Sequence, residues 1–306
     1  IESKAIPAPG ATQDDRSLTP SLLSTIYSFP QWLVDRWIAR FGIIQVKELL
    51  TTMNKRPDFS LRVNLSFVDK DDTVKALEAQ GIGVKPGTLL PDCLRVDRLG
   101  PVLKSRLISE RLISVQDEAS QLAGLAVQPR NGQAILDACA GMGTKTHQIN
   151  DLCADAFLVA MDNDAGKLKF ISDPRNVVAG DARNAPFNRN VFDTILLDAP
   201  CSSLGTIRKH PEIKWRRRER DIGAFAAGQM SMLQALWDKV KKGGKLVYSV
   251  CSFESEETVD LITKFAGERE CVVENPLPFL FDKKYFISLP HETDMDGFFI
   301  AALIKP

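Results

Sequence analysis

Apolar positions recur along the chain with two different periods, and the change from one to the other divides it. Residues 20–41 carry Leu22, Leu23 and Ile26 in one helical pattern and Trp32, Leu33, Trp37 and Phe41 in the next, which predicts a packed pair of helices. From residue 60 to residue 111 short alternating stretches take over, Leu61, Val63, Leu65 and later Cys93, Leu94, Val96, around a helix-like run at 73–80 that Gly81 and Gly83 end. This pattern predicts a small α+β domain. Past Ser114 the chain becomes strand, turn and helix units: an amphipathic helix over 114–127, then strands at 134–138, 157–161, 192–197 and 244–250, with a short candidate at Val177 and Val178. Strands alternating with helices imply an α/β fold with a mainly parallel sheet covered on both faces. The division is therefore 1–113 and 114–306. Between Asp162 and Val177 the connection is too short for a full crossover helix, and Asp173 with Pro174 breaks it, so this lobe is either trimmed or lacks residues.

At 306 residues and 44% hydrophobic, the chain can bury one large core and a smaller one. No apolar run reaches the roughly 20 residues of a membrane span. The polar, Pro-rich start over 1–16 does not resemble a secretion signal, so a cytoplasmic location with no membrane partner is expected. Six scattered cysteines, with no CxxC pair and no histidine at ligand spacing, predict reduced thiols and no metal. Lys plus Arg balance Asp plus Glu at 39 each, so any nucleic-acid footprint has to be a local patch. One segment offers it: Arg208, Lys209, Lys214, Arg216, Arg217, Arg218 and Arg220 surround Trp215. It reads either as a phosphate clamp with a stacking surface or as a solvated helix start neutralised by Glu219 and Asp221.

Ligands of parallel sheets sit beyond the carboxyl ends of the strands, so the residues after each strand carry the functional reading. The first strand of the second half ends in Asp137 and enters a loop of small residues, Cys139, Ala140, Gly141, Met142, Gly143 and Thr144, that leads through Lys145 into a helix. Small residues let a ligand approach the backbone, and a helix start offers unpaired N–H groups, although tight turns without a ligand share the pattern. About 20 residues further the next strand ends in Asp162, placed to accept from both ribose hydroxyls of a nucleoside. Asp181 either reaches the adenine or amine end of such a ligand or forms a turn. The fourth strand delivers Asp198, Pro200 and Cys201 to the same edge, and the fifth presents Cys251 and then Glu254, Glu256 and Glu257 in a predicted helix start. A lone cysteine reads as a small buried hydrophobe, but two at neighbouring strand ends beside a cofactor loop read as a reacting site. Carbon 5 of cytosine needs such a thiol: thiolate addition at carbon 6 makes carbon 5 nucleophilic enough to take a methyl group. Asp198 then sits on the Watson–Crick edge at ring nitrogen 3, and Lys145 lies near the target base or its phosphate.

At these residues the sequence resembles the RNA 5-cytosine methyltransferases, most of all the bacterial RsmB/Sun (Fmu) type, which modifies small-subunit (16S) ribosomal RNA. The matching stretches are VQDEASQL at 115–122, DACAGMGTKT at 137–146, LLDAPCSSLGTIRKHPEIKW at 196–215, GGKLVYSVCSFESEE at 243–257 and DGFFIAALIK at 296–305, with FPQWLVDRW at 29–37 and LRVN at 61–64 nearer the start. The resemblance implies a Rossmann-like class I methyltransferase domain with a smaller N-terminal α+β RNA-binding domain. It implies S-adenosylmethionine as cofactor, contacted by the loop from Cys139 to Lys145 with Asp162, Asp181 and Asp198. Cys251 is then the nucleophile and Cys201 assists release. The partner is RNA, ribosomal or within an assembling small ribosomal subunit, with the target base unpaired or flipped. Met142, Gly143 and Thr144 stand where the family loop usually has a proline and two glycines, a departure that bears on cofactor affinity. The helical domain that precedes this region in many such proteins is expected to be absent. Two other readings are a cytosine-5 methyltransferase on tRNA or DNA, the DNA type using Cys201 as nucleophile, and a catalytically silent RNA-binding assembly protein.

Overall fold

A computed structural model describes residues 18–171 and 176–306 of the protein; the start over 1–16 and the break at Asp173 and Pro174 lie outside the described residues. The predicted helix pair is a trio, α1 (Pro20–Tyr27), α2 (Gln31–Phe41) and α3 (Ile43–Met53). Thr19 caps α1 by accepting from the Leu22 N–H, and Gly42, at φ 80°, makes the one-residue turn between α2 and α3 that a side chain would strain. Leu23, Phe29, Leu33, Trp37 and Leu50 of this trio share one core with Leu204, Ile207, Ile222 and Phe253 of the second half. The helices are thus part of the larger body's packing.

The small domain has its own core of Leu61, Val63, Leu77, Ile82, Leu94 and Val96. Its strands are β1 (Phe59–Val63), β2 (Val84–Pro86), β3 (Cys93–Val96) and β4 (Ile113–Val115), antiparallel in the order β2-β3-β1-β4, with the helix Lys70–Glu78 alongside. Leu65, expected to continue the alternation, is 53% exposed, because β1 ends at Val63 and Asn64 starts a turn by accepting from the Phe67 and Val68 N–H groups. Ser114 and Val115 pair with β1, so they belong to the small sheet and the helix expected over 114–127 begins only at Glu118, where Asp117 caps it. That helix, Glu118–Val127, is buried on nearly every side, so it is not amphipathic. Its buried Glu118 carboxylate is tolerated because it accepts the backbone N–H groups of Thr88, Leu89 and Leu90.

The large sheet contains β5 (Ala134–Asp137), β6 (Phe157–Asp162), β7 (Val177–Ala179), β8 (Phe192–Asp198), β9 (Val240–Val250), β10 (Val272–Glu274), β11 (Phe286–Ser288) and β12 (Phe298–Ile304). The order is β10-β12-β9-β8-β5-β6-β7, with β11 against β12. The strands from β5 to β9 run parallel, as expected, and β12 enters antiparallel to β9. Leu136, Ile195, Leu197 and Tyr248 face one side, under the helices Glu219–Trp237 and Val259–Glu268, while Ile135, Leu196 and Val247 face Glu118–Val127 on the other. The connection from β6 to β7 carries only the one-turn helix Ala165–Leu168 among its described residues. This is a Rossmann-like sheet whose order reverses at β5, between β6 and β8, where a crevice forms at the carboxyl edge.

Candidate active site

A cavity of about 400 Å³ opens at that edge, and its wall holds Asp137, Cys139, Ala140, Gly141, Met142, Thr144, Lys145, Asp198 and Cys251. The loop after β5 is folded by its own amides: Ala140 N–H donates to the Met161 carbonyl at 2.9 Å and Gly141 N–H to Asp162 Oδ2 at 2.8 Å. Gly143 caps the helix Thr144–Leu152 at φ 87°, and a Cβ there would lie 2.7 Å from Ile171 Cγ1, so this position admits only glycine. Met142, a departure from the family loop, is 59% exposed. Asp137 is buried and accepts from Thr146 Oγ1 at 2.7 Å through one oxygen, while the other, Oδ1, has no partner. Burial pushes its carboxyl up to about 6. A buried acceptor without a donor, on a cavity wall, fits a cationic or N–H group of a ligand.

Four sequence-derived site residues stand off this wall. Asp162 is buried behind the loop, each of its oxygens taking one backbone N–H, from Gly141 and from Asp164. Asp181 faces solvent in a two-pronged pair with Arg183, which holds its carboxyl below the usual carboxylate range, and it caps a short turn through the Arg183 N–H. Gly143 shapes the backbone. Cys201 lies beneath Cys251, 5% exposed, with its Sγ 3.3 Å from the Cys251 Sγ.

The two thiols meet because β8 and β9 are parallel neighbours with Asp198 opposite Ser249, which brings both strand ends to the same level. Their hydrogen bond polarises the pair. Cys251, on the cavity side, is drawn below the ordinary thiol value by the bond from Cys201, against its own burial, with help from the Ser203 hydroxyl and the Lys145 ammonium. Cys201 is pushed well above that value by the same bond and by burial, so it keeps its proton. Lys145 Nζ lies 2.5 Å from Asp198 Oδ2; burial disfavours the ammonium, but Asp198 outweighs burial and raises its pKa. Ser249 Oγ donates to Asp198 Oδ1 at 2.8 Å, and the Phe298 ring sits beneath Lys145, 5.8 Å from its nitrogen.

The acidic run after Cys251 does begin a helical segment, a single 3-10 turn over Ser255–Glu257 ahead of the α-helix at Val259, but it also does something else. Glu257 is completely buried, accepting from the Ser202 N–H at 2.8 Å, Ser252 Oγ at 2.7 Å, Gln229 Nε2 at 3.0 Å and the Ser202 hydroxyl. One carboxylate therefore grips the residue that follows each thiol. The sequence signal was a serine after each cysteine. Glu254, equally buried, accepts from Trp37 Nε1 at 2.8 Å and Arg36 Nε at 2.5 Å.

The basic segment is only partly a surface. Arg208 bonds Asp294 at 2.6 Å; Lys209 bridges Asp117 and Asp296; Lys214 lies 4.1 Å over the Phe29 ring; and Arg217 Nε donates to the Ser202 carbonyl at 2.8 Å. Each of the four has a partner inside the protein, so the run as a whole is not one solvent-facing clamp. Trp215, Arg216, Arg218 and Arg220 remain exposed. Among the described residues no group of His, Cys, Asp or Glu is arranged to hold a metal, and no helix is long and apolar enough to cross a membrane.

Known proteins resemble this chain over most of its length. Residues 124–304 match the model of the 16S rRNA methyltransferase RsmB/F family, and residues 29–103 match the ferredoxin-like domain of RsmF/B-like methyltransferases. Ribosomal RNA small subunit methyltransferase B of Salmonella paratyphi B is 37% identical over 287 residues, which cover 90% of this chain and 66% of that protein. The crystal structure of PH0851 aligns with 99% of this chain and 70% of its own at a TM-score of 0.86 and 29% identity. A methyltransferase homolog from Pyrococcus horikoshii aligns with 94% of this chain and all of its own at 0.78 and 25% identity. The chain, spanning 66% of the length of its Salmonella relative, belongs to the RsmB/F methyltransferase family.

Proposed function

We propose that the protein transfers a methyl group from S-adenosylmethionine to carbon 5 of a cytosine in RNA, within small-subunit ribosomal RNA, through a covalent bond between Cys251 and carbon 6. The observation that carries this reading is the hydrogen-bonded pair of thiols beside Lys145 and Asp198, with Cys251 on the cavity and Cys201 behind it. The Salmonella relative is named for a ribosomal RNA small-subunit methyltransferase, which supports that substrate.

Bound S-adenosylmethionine supplies an electrophilic methyl group on a sulfonium. Asp137 Oδ1 is free to take the donor's cationic amine, and the Cys139 to Thr144 loop offers it a backbone surface. Asp162, from behind the loop, fixes Gly141 and keeps a lone pair on each oxygen for the ribose. Cys251, held towards its thiolate by Cys201, adds to carbon 6, and negative charge spreads toward ring nitrogen 3 and oxygen 2. Lys145 neutralises that charge while Asp198, fixed by Ser249 and Lys145, accepts from the exocyclic amine. Carbon 5 then forms its bond to the methyl group. A water in the cavity takes the carbon-5 proton as the bond from carbon 6 to Cys251 breaks, and Cys201, keeping its own proton, stabilises the departing Cys251 thiolate through their hydrogen bond.

The two cysteines therefore have opposite signatures. With unmodified 16S ribosomal RNA and S-adenosylmethionine, Cys251→Ala should give neither methylation nor a covalent complex. Cys201→Ala should form the adduct and fail to release it, running on a denaturing gel as a shifted protein–RNA band. A band with Cys251→Ala instead would assign the nucleophile to Cys201, and unchanged turnover in both variants would end the covalent mechanism.

A further inference from the structure

A second cavity, of about 380 Å³, lies where α3, the small domain and the large sheet's loops meet, and it differs in character from the first. Its charged lining is Lys55, Arg56, Arg95 and Arg208 against Asp58 and Asp294, a surplus of cations in a molecule with no net charge. The two carboxylates are already committed. Asp294 lies between Arg95 and Arg208, and Asp58 between Arg95 and Lys85. Lys55 and Arg56 are exposed and make no ion pair among the described residues.

Two buried nitrogens in the lining have no hydrogen-bond partner, Arg208 Nε and His291 Nδ1. The Arg208 side chain is only 7% exposed, and leaving one of its N–H groups dry costs free energy unless a ligand accepts from it. Guanidinium groups, a lysine and the orphaned Arg208 N–H around a space of this size are the recognition chemistry of a phosphate.

Position narrows the choice of phosphate. Arg208 faces this cavity while the adjacent Lys209 bonds Asp117 and Asp296 on the wall of the active-site cavity, and Asp294 and Asp296 repeat the same division two residues apart. The two cavities are thus separated by one strip of chain. Resting on the reading of the first cavity as the site of a cytosine in RNA, we propose that this second cavity is a phosphodiester pocket. It holds the RNA backbone next to the target nucleotide through Arg208 and His291 from inside and Lys55 and Arg56 at its mouth. The strand would cross the Arg208–Lys209 strip, with its base on one side and a flanking phosphate on the other.

The test separates binding from chemistry. Fluorescence anisotropy with a labelled single-stranded oligoribonucleotide, titrated across salt, reads binding alone, and methylation of 16S ribosomal RNA by the unaltered protein is assayed separately, so an inactive protein would count against the proposed function and not against the pocket. Lys55→Gln with Arg56→Gln should weaken binding about tenfold and make the salt slope shallower by roughly 0.7 for each phosphate no longer neutralised. The charge-matched control, Lys242→Gln with Lys264→Gln, at the sheet's opposite end and on its outer helix, should leave both unchanged. Arg208→Lys, which keeps the charge and removes Nε, should weaken binding severalfold without changing the slope. Equal losses in the double variant and the control, or full affinity in both Arg208→Lys and the double variant, would overturn the pocket.

Discussion

Asp137 carries a buried oxygen with nothing bonded to it, and burial raises its pKa. The ordinary value is 3.8 and the folded value about 6, so folding favours the protonated form. This stabilisation is complete below the ordinary value and is lost as pH rises through about 6, at roughly 1.4 kcal/mol for each pH unit of separation. A cationic amine on Oδ1 reverses the preference, because it favours the carboxylate. S-adenosylmethionine should therefore bind more tightly as pH rises from about 4 to about 6, releasing up to one proton, and level off above that. Titration calorimetry in buffers of different ionisation enthalpy measures the proton directly. Asp137→Asn should flatten the profile, and a flat profile in the unaltered protein would remove Asp137 from the amine.

Elements act on the chemistry through Glu257, which joins the loop after β8 to the loop after β9. Replacing it with alanine leaves the Ser202 N–H without an acceptor, while the Gln229 amide keeps only the Pro200 carbonyl and the Ser202 and Ser252 hydroxyls keep only each other; each group left unpaired costs about 1–3 kcal/mol. Glu257→Ala should lower the melting temperature and, by loosening the 3.3 Å contact of the thiols, slow alkylation of Cys251 by iodoacetamide. Glu257→Gln, which keeps the shape and two acceptor lone pairs, should recover part of both; alkylation at the original rate in Glu257→Ala would show that the thiols are paired by other means. The strand ends at Asp137, Asp162, Asp198 and Cys251 were readable from the sequence because short apolar runs and small-residue loops are local signals. Glu257 was not, since its partner Ser202 lies 55 positions away and only the finished sheet brings them together. The basic segment misled for the same reason: the partners of Arg208 and Lys209 are 86 to 92 residues distant, and no local pattern reports them. Asp181 caps a turn and pairs with Arg183 two residues on, which matches one of the two roles its position offers.

At the scale of the whole molecule, the amino-terminal helices share a core with the loops that carry the cysteines, whereas the small domain keeps a core of its own. Trp37 is the joint. Its ring is fully buried against Phe29 and Phe253, its Nε1 bonds Glu254, and Phe253 and Glu254 directly follow the Cys251-Ser252 pair. Trp37→Ala removes a large buried side chain, at a cost of about 3–5 kcal/mol, and takes a donor from a buried carboxylate. Because the cavity left behind lies under the loop that follows Cys251, the main calorimetric transition should shift down and Cys251 should be alkylated at a changed rate. Leu77→Ala, which empties space in the small domain's core, should instead weaken that domain while leaving the reactivity of Cys251 unaltered. The comparison distinguishes a fused body from tethered parts: if Trp37→Ala produced a separate early transition with the main one and the thiol reactivity intact, the helices would be an independent module, and their contact with the cysteine loop would have no hold on the active site.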